Sequence, residues 1–295
     1  MKHVIATLAV VLGFGVAHAQ DNAAGGSEFF HQAGAGVSEV TPHLNYRSET
    51  YKFPNGGGEA TRKGIDDLGA RYEYGVNEMI SVYGDLSISM VENKVGTVSS
   101  NPSGLNDIEL GFRGTSAMGM GNLRYGLGLT WGIEKAKTDA NGLPSNNSTG
   151  GMGLTPYVGW DMAVGPGMWG AVLSYNYLLE RTTEATGGGE SKEKDGHILG
   201  IGTFYEYLMA DMTFGGRLMY AAPADTKTTS GGSETTAGTS PMITVGAYTA
   251  IPAGPGALLA GLDYGWLSGK KYQSTQDNLD SSTIFNINVG YRIAF

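Results

Sequence analysis

Charged side chains recur at alternate positions in this sequence, and that spacing decides what chemistry they can do. Arg71, Asp85, Glu109, Arg113, Arg124, Arg217, Asp263 and Arg292 all sit in segments whose odd and even positions differ in polarity. Successive side chains of a β-strand point to opposite faces, so these residues share the polar one. Charges of both signs on such a face can pair across neighbouring strands and hold register. Standing apart in an enclosed space, they can instead sort solutes by charge. Arg71, Asp85, Glu109, Arg217 and Asp263 fall nearest mid-strand and are the candidates for that second role. Arg47, Asp67, Glu73, Asp107, Glu134, Asp161 and Glu206 have the same parity.

Hydrolytic and metal chemistry find little to work with. Past the first twenty residues the histidines are His31, His43 and His197, and none has a Ser and an acid at readable spacing. Neither a Gly-x-Ser-x-Gly elbow nor a His-rich metal spacing occurs, so no catalytic residue, cofactor or metal is expected. His43 has the parity of the polar face, where a neighbouring Ser near a lipid boundary would be the enzymatic alternative. Gly119-Met120-Gly121 is a turn and not a phosphate cradle, because no helix follows it. Cysteine is absent, which removes disulfides and thiolate-held metals together.

The elements that must carry these residues are strands. Met1-Lys2-His3, an apolar run from Val4 to Val16 and Ala17-His18-Ala19 read as a signal peptide over 1–19. Residues 20–35 are rich in Gly and Ala and unpatterned, and read as a periplasmic lead-in. From 36 to 295 the pattern has period two, and no later stretch approaches the ~20 apolar residues of a helical span. Leu123, Tyr125, Leu127, Leu129, Trp131 and Ile133 alternate with Arg124, Gly126, Gly128, Thr130, Gly132 and Glu134, and similar segments recur to a total of about twelve. Short links at 77–78, 117–122, 165–167, 210–211 and 252–256 alternate with long polar ones at 54–63, 92–103, 136–150, 184–196, 222–240 and 268–281. Tight turns on one side and long loops on the other are the plan of an all-β, antiparallel, up-and-down transmembrane barrel. The long loops, Thr182 to Glu190 and Thr226 to Ser240 above all, have the composition of solvated surface. Mean hydropathy is that of a soluble protein, as a barrel with an apolar coat and a polar lumen would give.

Glycine, at 48 residues, is concentrated on the polar face, where missing side chains leave a narrow bore or a ligand-sized cavity. Of the 19 basic residues one is Lys2; without it 18 face 28 acidic ones, a net charge of −10 that argues against nucleic acid as a partner.

The last segment places Phe285, Ile287, Val289, Tyr291, Ile293 and Phe295 on one face. It resembles the C-terminal assembly signal of bacterial outer-membrane proteins, which implies recognition by the barrel-insertion machinery and periplasmic chaperones, and residence among outer-membrane lipids and lipopolysaccharide. Ser103 to Arg113, with Asn106 in place of a glycine, resembles the Gly-x-Gly-Asp-x-x-Leu-Gly strand of outer-membrane transporters of the phenol meta-pathway and fatty-acid transporter-like group. That resemblance implies passive uptake of small solutes, organic acids or aromatics among them. The competing expectation is a structural or surface-recognition barrel with a plugged lumen and working loops.

Overall fold

The computed structural model describes residues 27–53, 58–194, 196–209, 211–237, 240–270 and 279–295. The expected signal peptide and the first part of the lead-in lie outside the described residues. Twelve strands form the wall: β1 (Ser38–Lys52), β2 (Glu59–Gly75), β3 (Ile80–Val95), β4 (Ile108–Met118), β5 (Gly121–Trp131), β6 (Met152–Val164), β7 (Gly167–Leu178), β8 (Gly196–Met209), β9 (Met212–Pro223), β10 (Met242–Ala253), β11 (Gly256–Lys270) and β12 (Leu279–Ala294). Each pairs antiparallel with its sequence neighbours, and β12 pairs with β1 from Glu39↔Ala294 to Lys52↔Ser281, closing the ring. The seam is tied at its end by Phe295, whose N–H donates to Ser38 O at 2.9 Å and whose O accepts from Ser38 N at 3.0 Å.

Closure removes every sheet edge, which is what permits strands to cross hydrocarbon. The outward face bears it out: Leu86, Leu110, Leu173, Ile201, Leu218, Leu262 and Val289 are all exposed, with Tyr72, Tyr175, Tyr207, Trp169 and Trp266 among them. In water a coat of that extent would drive association, so it belongs against lipid. The assembly-signal residues Phe285, Ile287, Val289, Tyr291 and Ile293 alternate along β12 with Ile284, Asn288 and Arg292, which are buried on the other face.

Tight turns do close one end. Gly119, Gly165 and Gly254 adopt φ of 63°, 59° and 61°, backbone that favours glycine, and turn β4 into β5, β6 into β7 and β10 into β11. The other end departs from expectation. Instead of solvated loops, Arg181–Ala185 and Gly189–Lys194 form one hairpin, Thr226–Ser230 and Ser233–Ala237 another. The hairpins pair with each other through Ser191↔Ser230 to Lys194↔Lys227, and Ala136–Thr138 adds a parallel strand, making a five-stranded sheet. Threonine-rich strands are legible as polar and fit an exposed sheet equally well, which is why composition did not separate the two. The stretch 271–278 of the last long link lies outside the described residues.

A single bulge interrupts the wall. Asn45 pairs with Asp67 and Tyr46 with Ile65, leaving Asp66 as the extra residue of β2. Parity flips there, so Asp66 and Asp67 both face the lumen, and Arg62 and Ala60 follow Asp66 inward.

A charge on the outer face tests the orientation. Leu262→Arg, at mid-strand and 48% exposed, should cost about 2–4 kcal/mol in folding free energy from urea into lipid vesicles. A cost within experimental error would place that face away from hydrocarbon.

Candidate functional site

The described part of the segment expected as a periplasmic lead-in, residues 27–35, folds into the turn end of the barrel. Residues Glu28–Phe30 make one 3-10 turn, capped by Ser27 Oγ, which accepts from Phe30 N at 3.2 Å; Ser27 through His31 are all buried. The barrel supplies four buried carboxylates to hold it, Glu39, Glu73, Asp161 and Glu206. Glu206 of β8 accepts from Glu28 N at 2.8 Å, Phe29 N at 2.6 Å and Tyr248 Oη at 2.8 Å. Glu73 of β2 accepts from Ala33 N at 3.1 Å and Ser81 Oγ at 2.6 Å. Asp161 of β6 takes Arg124 Nε and Asn122 Nδ2, both at 2.8 Å, with Ser27 Oγ at 3.4 Å. Arg113 bonds Glu73 at 3.2 Å and donates to His31 O at 3.0 Å, while Arg292 lies 3.6 Å from Glu28 Oε1.

Phe29 and Phe30 fill what the carboxylates leave. Phe29 stacks on Phe204 with ring centroids 4.4 Å apart, and Phe30 stands edge-on to both. Glycines of the wall make room for them. A Cβ on Gly159 would stand 2.3 Å from Phe30 Cζ, and one on Gly170 would stand 2.4 Å from Phe204 Cζ. Of the space that the lumen glycines were expected to leave, as a narrow bore or a ligand-sized cavity, much is taken up by side chains lying flat across it, and a cavity remains beside them. Gly246 does the same for charge, because its missing Cβ is the space in which Arg217 of β9 meets Asp263 of β11 across β10.

The charges proposed for a constriction are brought together in two groups, each paired. Arg71 donates to Asp85 at 3.0 Å, lies 3.9 Å from Glu109 and packs over Tyr83, whose hydroxyl donates to Glu109 at 2.8 Å. Arg217 makes two hydrogen bonds to Asp263, at 2.8 and 2.5 Å. Arg47 is paired with Glu49 and Asp66. Arg113, Arg124 and Arg292 stand in the ring around the inserted segment. Asp107 lies just before β4 and holds the loop residues Ser148 and Thr149. Glu134, read as lumenal, is beyond the end of β5 and pairs with Lys137 in the open.

Sequence reasoning missed a second class of lumen residue. Val172, Met219, Ala221, Met242 and Ile284 have the parity of the polar face, yet are apolar, and with Phe29, Phe30 and Tyr157 they line a cavity of about 170 Å³. A second cavity, of about 460 Å³, opens on the turn side and is lined by Phe30, His31, Gln32, Asn122 and Arg124 among others. Phe30 is common to the linings of both.

His31 has its Nε2 at 2.6 Å from Glu39 Oε2. Burial, then the guanidinium groups of Arg292, Arg113 and Arg124, hold its pKa well below the usual histidine value. The inserted ring is thus neutral.

No protein-family model matches the sequence, and no curated protein does. Among solved structures the fold is similar to an outer-membrane channel from Pseudomonas putida F1, with 9% identity, TM-score 0.63, and coverage of 94% of this chain and 100% of that one. It is also similar to the translocator domain of the autotransporter NalP from Neisseria meningitidis, at 14% identity and TM-score 0.53, over 89% of this chain and 90% of that one. A deletion mutant of the monoaromatic hydrocarbon channel TodX aligns at 12% identity and TM-score 0.51, over 89% of this chain and 91% of that one. At identities this low the likeness shows a shared barrel fold and nothing finer.

The state of His31 gives the inserted segment a pH dependence. A released His31 takes a proton below about pH 6.5, whereas the inserted ring resists it, so insertion is strongest above that pH and weakens as pH falls. With no cysteine in the chain, an Ala33→Cys probe should be labelled by an aqueous thiol reagent faster as the pH drops, and His31→Gln should flatten that rise. A labelling rate that follows thiol ionisation alone would contradict this.

Proposed function

We propose that this chain is a passive channel of the bacterial outer membrane, in which residues 27–35 close the periplasmic end and small organic solutes occupy the lumen above them. The observation that carries the reading is the position of Phe30, which lines two cavities inside a closed barrel. A lumen built to be sealed has no need of apolar space on one side of the seal and a polar vestibule on the other. The outer-membrane channels and translocator that share the fold support the location and the direction of the reading.

The upper cavity selects a chemical class. Its walls are apolar apart from Ser, Thr and Asn groups and the paired Arg47, Arg217 and Asp263. A dry, apolar cavity of about 150 Å³ is enough for benzene. Both Arg217 hydrogen bonds go to Asp263, so a solute carboxylate would have to displace a buried partner, at a cost of several kcal/mol. Uncharged aromatic or apolar molecules therefore fit better than organic acids. The monoaromatic hydrocarbon channel among the fold neighbours agrees with that class.

A second reading has its own observation. The five-stranded sheet built from the loops is an ordered surface at the far end, and a barrel that served recognition would use it while its lumen stayed shut. Conductance separates the two. In planar bilayers the wild type should show small, infrequent steps, and Phe29→Ala with Phe30→Ala should raise conductance several-fold. Silence from both proteins, with the barrel folded, would favour the sealed barrel.

A further inference from the structure

We propose a divalent-metal site on the lumen wall, formed by His43 of β1, Asp67 of β2 and Asp85 of β3. The three ligand atoms lie within 4.8 Å of one another. His43 Nε2 is 3.0 Å from Asp67 Oδ1 and 3.7 Å from Asp85 Oδ1. Those two separations bracket the ~3.4 Å expected between ligand atoms of a tetrahedral ion bound at about 2.1 Å.

The ring's own hydrogen bond makes the case. His43 Nδ1 lies 3.2 Å from the carbonyl oxygen of Thr41, which can only accept, so Nδ1 carries a proton. A neutral ring would then aim its Nε2 lone pair at the carboxylate oxygen of Asp67, acceptor against acceptor. Either a proton, on the imidazole or on the carboxyl, or a metal ion has to stand between them. A histidine whose Nδ1–H is fixed by a backbone carbonyl while Nε2 faces carboxylates is arranged as metal ligands usually are. Asp85 is oriented the same way, with Oδ2 taken by Arg71 Nε at 3.0 Å and Oδ1 left towards His43.

Two features of the fold bring the ligands together. The bulge at Asp66 turns Asp67 inward immediately beside its neighbour, and the residue opposite His43 in register is Gly69, which has no side chain to separate β1 from β3. One imidazole and two carboxylates, without sulfur, suit a borderline first-row ion such as Zn²⁺ or Co²⁺. Arg71 is the adjacent positive charge and opposes the ion, so the affinity should be moderate.

The test is titration of the full, detergent-solubilised chain with Zn²⁺, and with Co²⁺ for its visible absorption. Neither readout depends on whether the barrel conducts. One ion should bind per chain, releasing protons, with affinity falling as pH is lowered because metal and proton compete for Nε2. His43→Gln should weaken binding at least 100-fold and Asp67→Asn at least tenfold, on the scale of losing a ligand or its support. Circular dichroism of each variant establishes that the barrel is intact, and an intact His43→Gln that binds as the wild type does would overturn the site. So would a wild type that shows no stoichiometric binding, or binds with no proton released.

Discussion

A carboxylate without water is the constraint around which this barrel is arranged. Glu206 and Asp161 have no solvent exposure and Glu73 almost none, and an ionised group so placed carries a desolvation penalty of several kcal/mol unless donors surround it. The wall supplies some donors, such as Arg124, Arg113, Tyr248 and Ser81. The rest come from the backbone of residues 27–33, whose N–H groups would otherwise be unpaired in the interior. Barrel and inserted segment each satisfy what the other leaves open. Removing either side leaves buried polar groups without partners, the costly side of any hydrogen bond.

That reciprocity also explains the aromatic packing. Once two N–H groups are fixed on Glu206, the side chains of Phe29 and Phe30 have few directions left, and Phe204, Tyr157 and Tyr248 provide the surfaces they meet. Glycines at 159 and 170 give the depth for it. The outcome is a polar anchor near the turns and an apolar cluster just above, inside a cylinder whose outer coat is itself apolar.

The cylinder was legible in the sequence because period two is a strong local signal and most strands keep it along their length. Leu123 to Ile133 and Phe285 to Phe295 show the alternation residue by residue. The site was less legible, for three physical reasons. The inserted segment binds through main-chain N–H groups, which leave no trace in side-chain pattern, so a Gly/Ala-rich stretch with two phenylalanines looked like a linker. The bulge at Asp66 reverses parity within one residue, which hid Arg62 and Asp66 from a reading made by alternation. Apolar residues on the polar face, such as Met242 and Ile284, are invisible when that face is assumed to be wet. Among the mid-height charges Arg71 and Asp85 are direct cross-strand partners, whereas the pairing of Arg217 with Asp263 leaves no such signal because they meet across an intervening strand, at a glycine.

The central claim is that residues 27–33, held by Glu206, are what obstructs the lumen. The most direct measurement is current through a Phe29→Cys, Phe204→Cys double variant, whose native rings stack on each other, with the two thiols joined by a bifunctional thiol reagent whose spacer a reductant cleaves, recorded before and after cleavage. The cross-linked protein, with the segment locked in place, should be closed, and cleavage should open it. Equal current in both states, with the cross-link verified, would mean that the inserted segment is not the barrier.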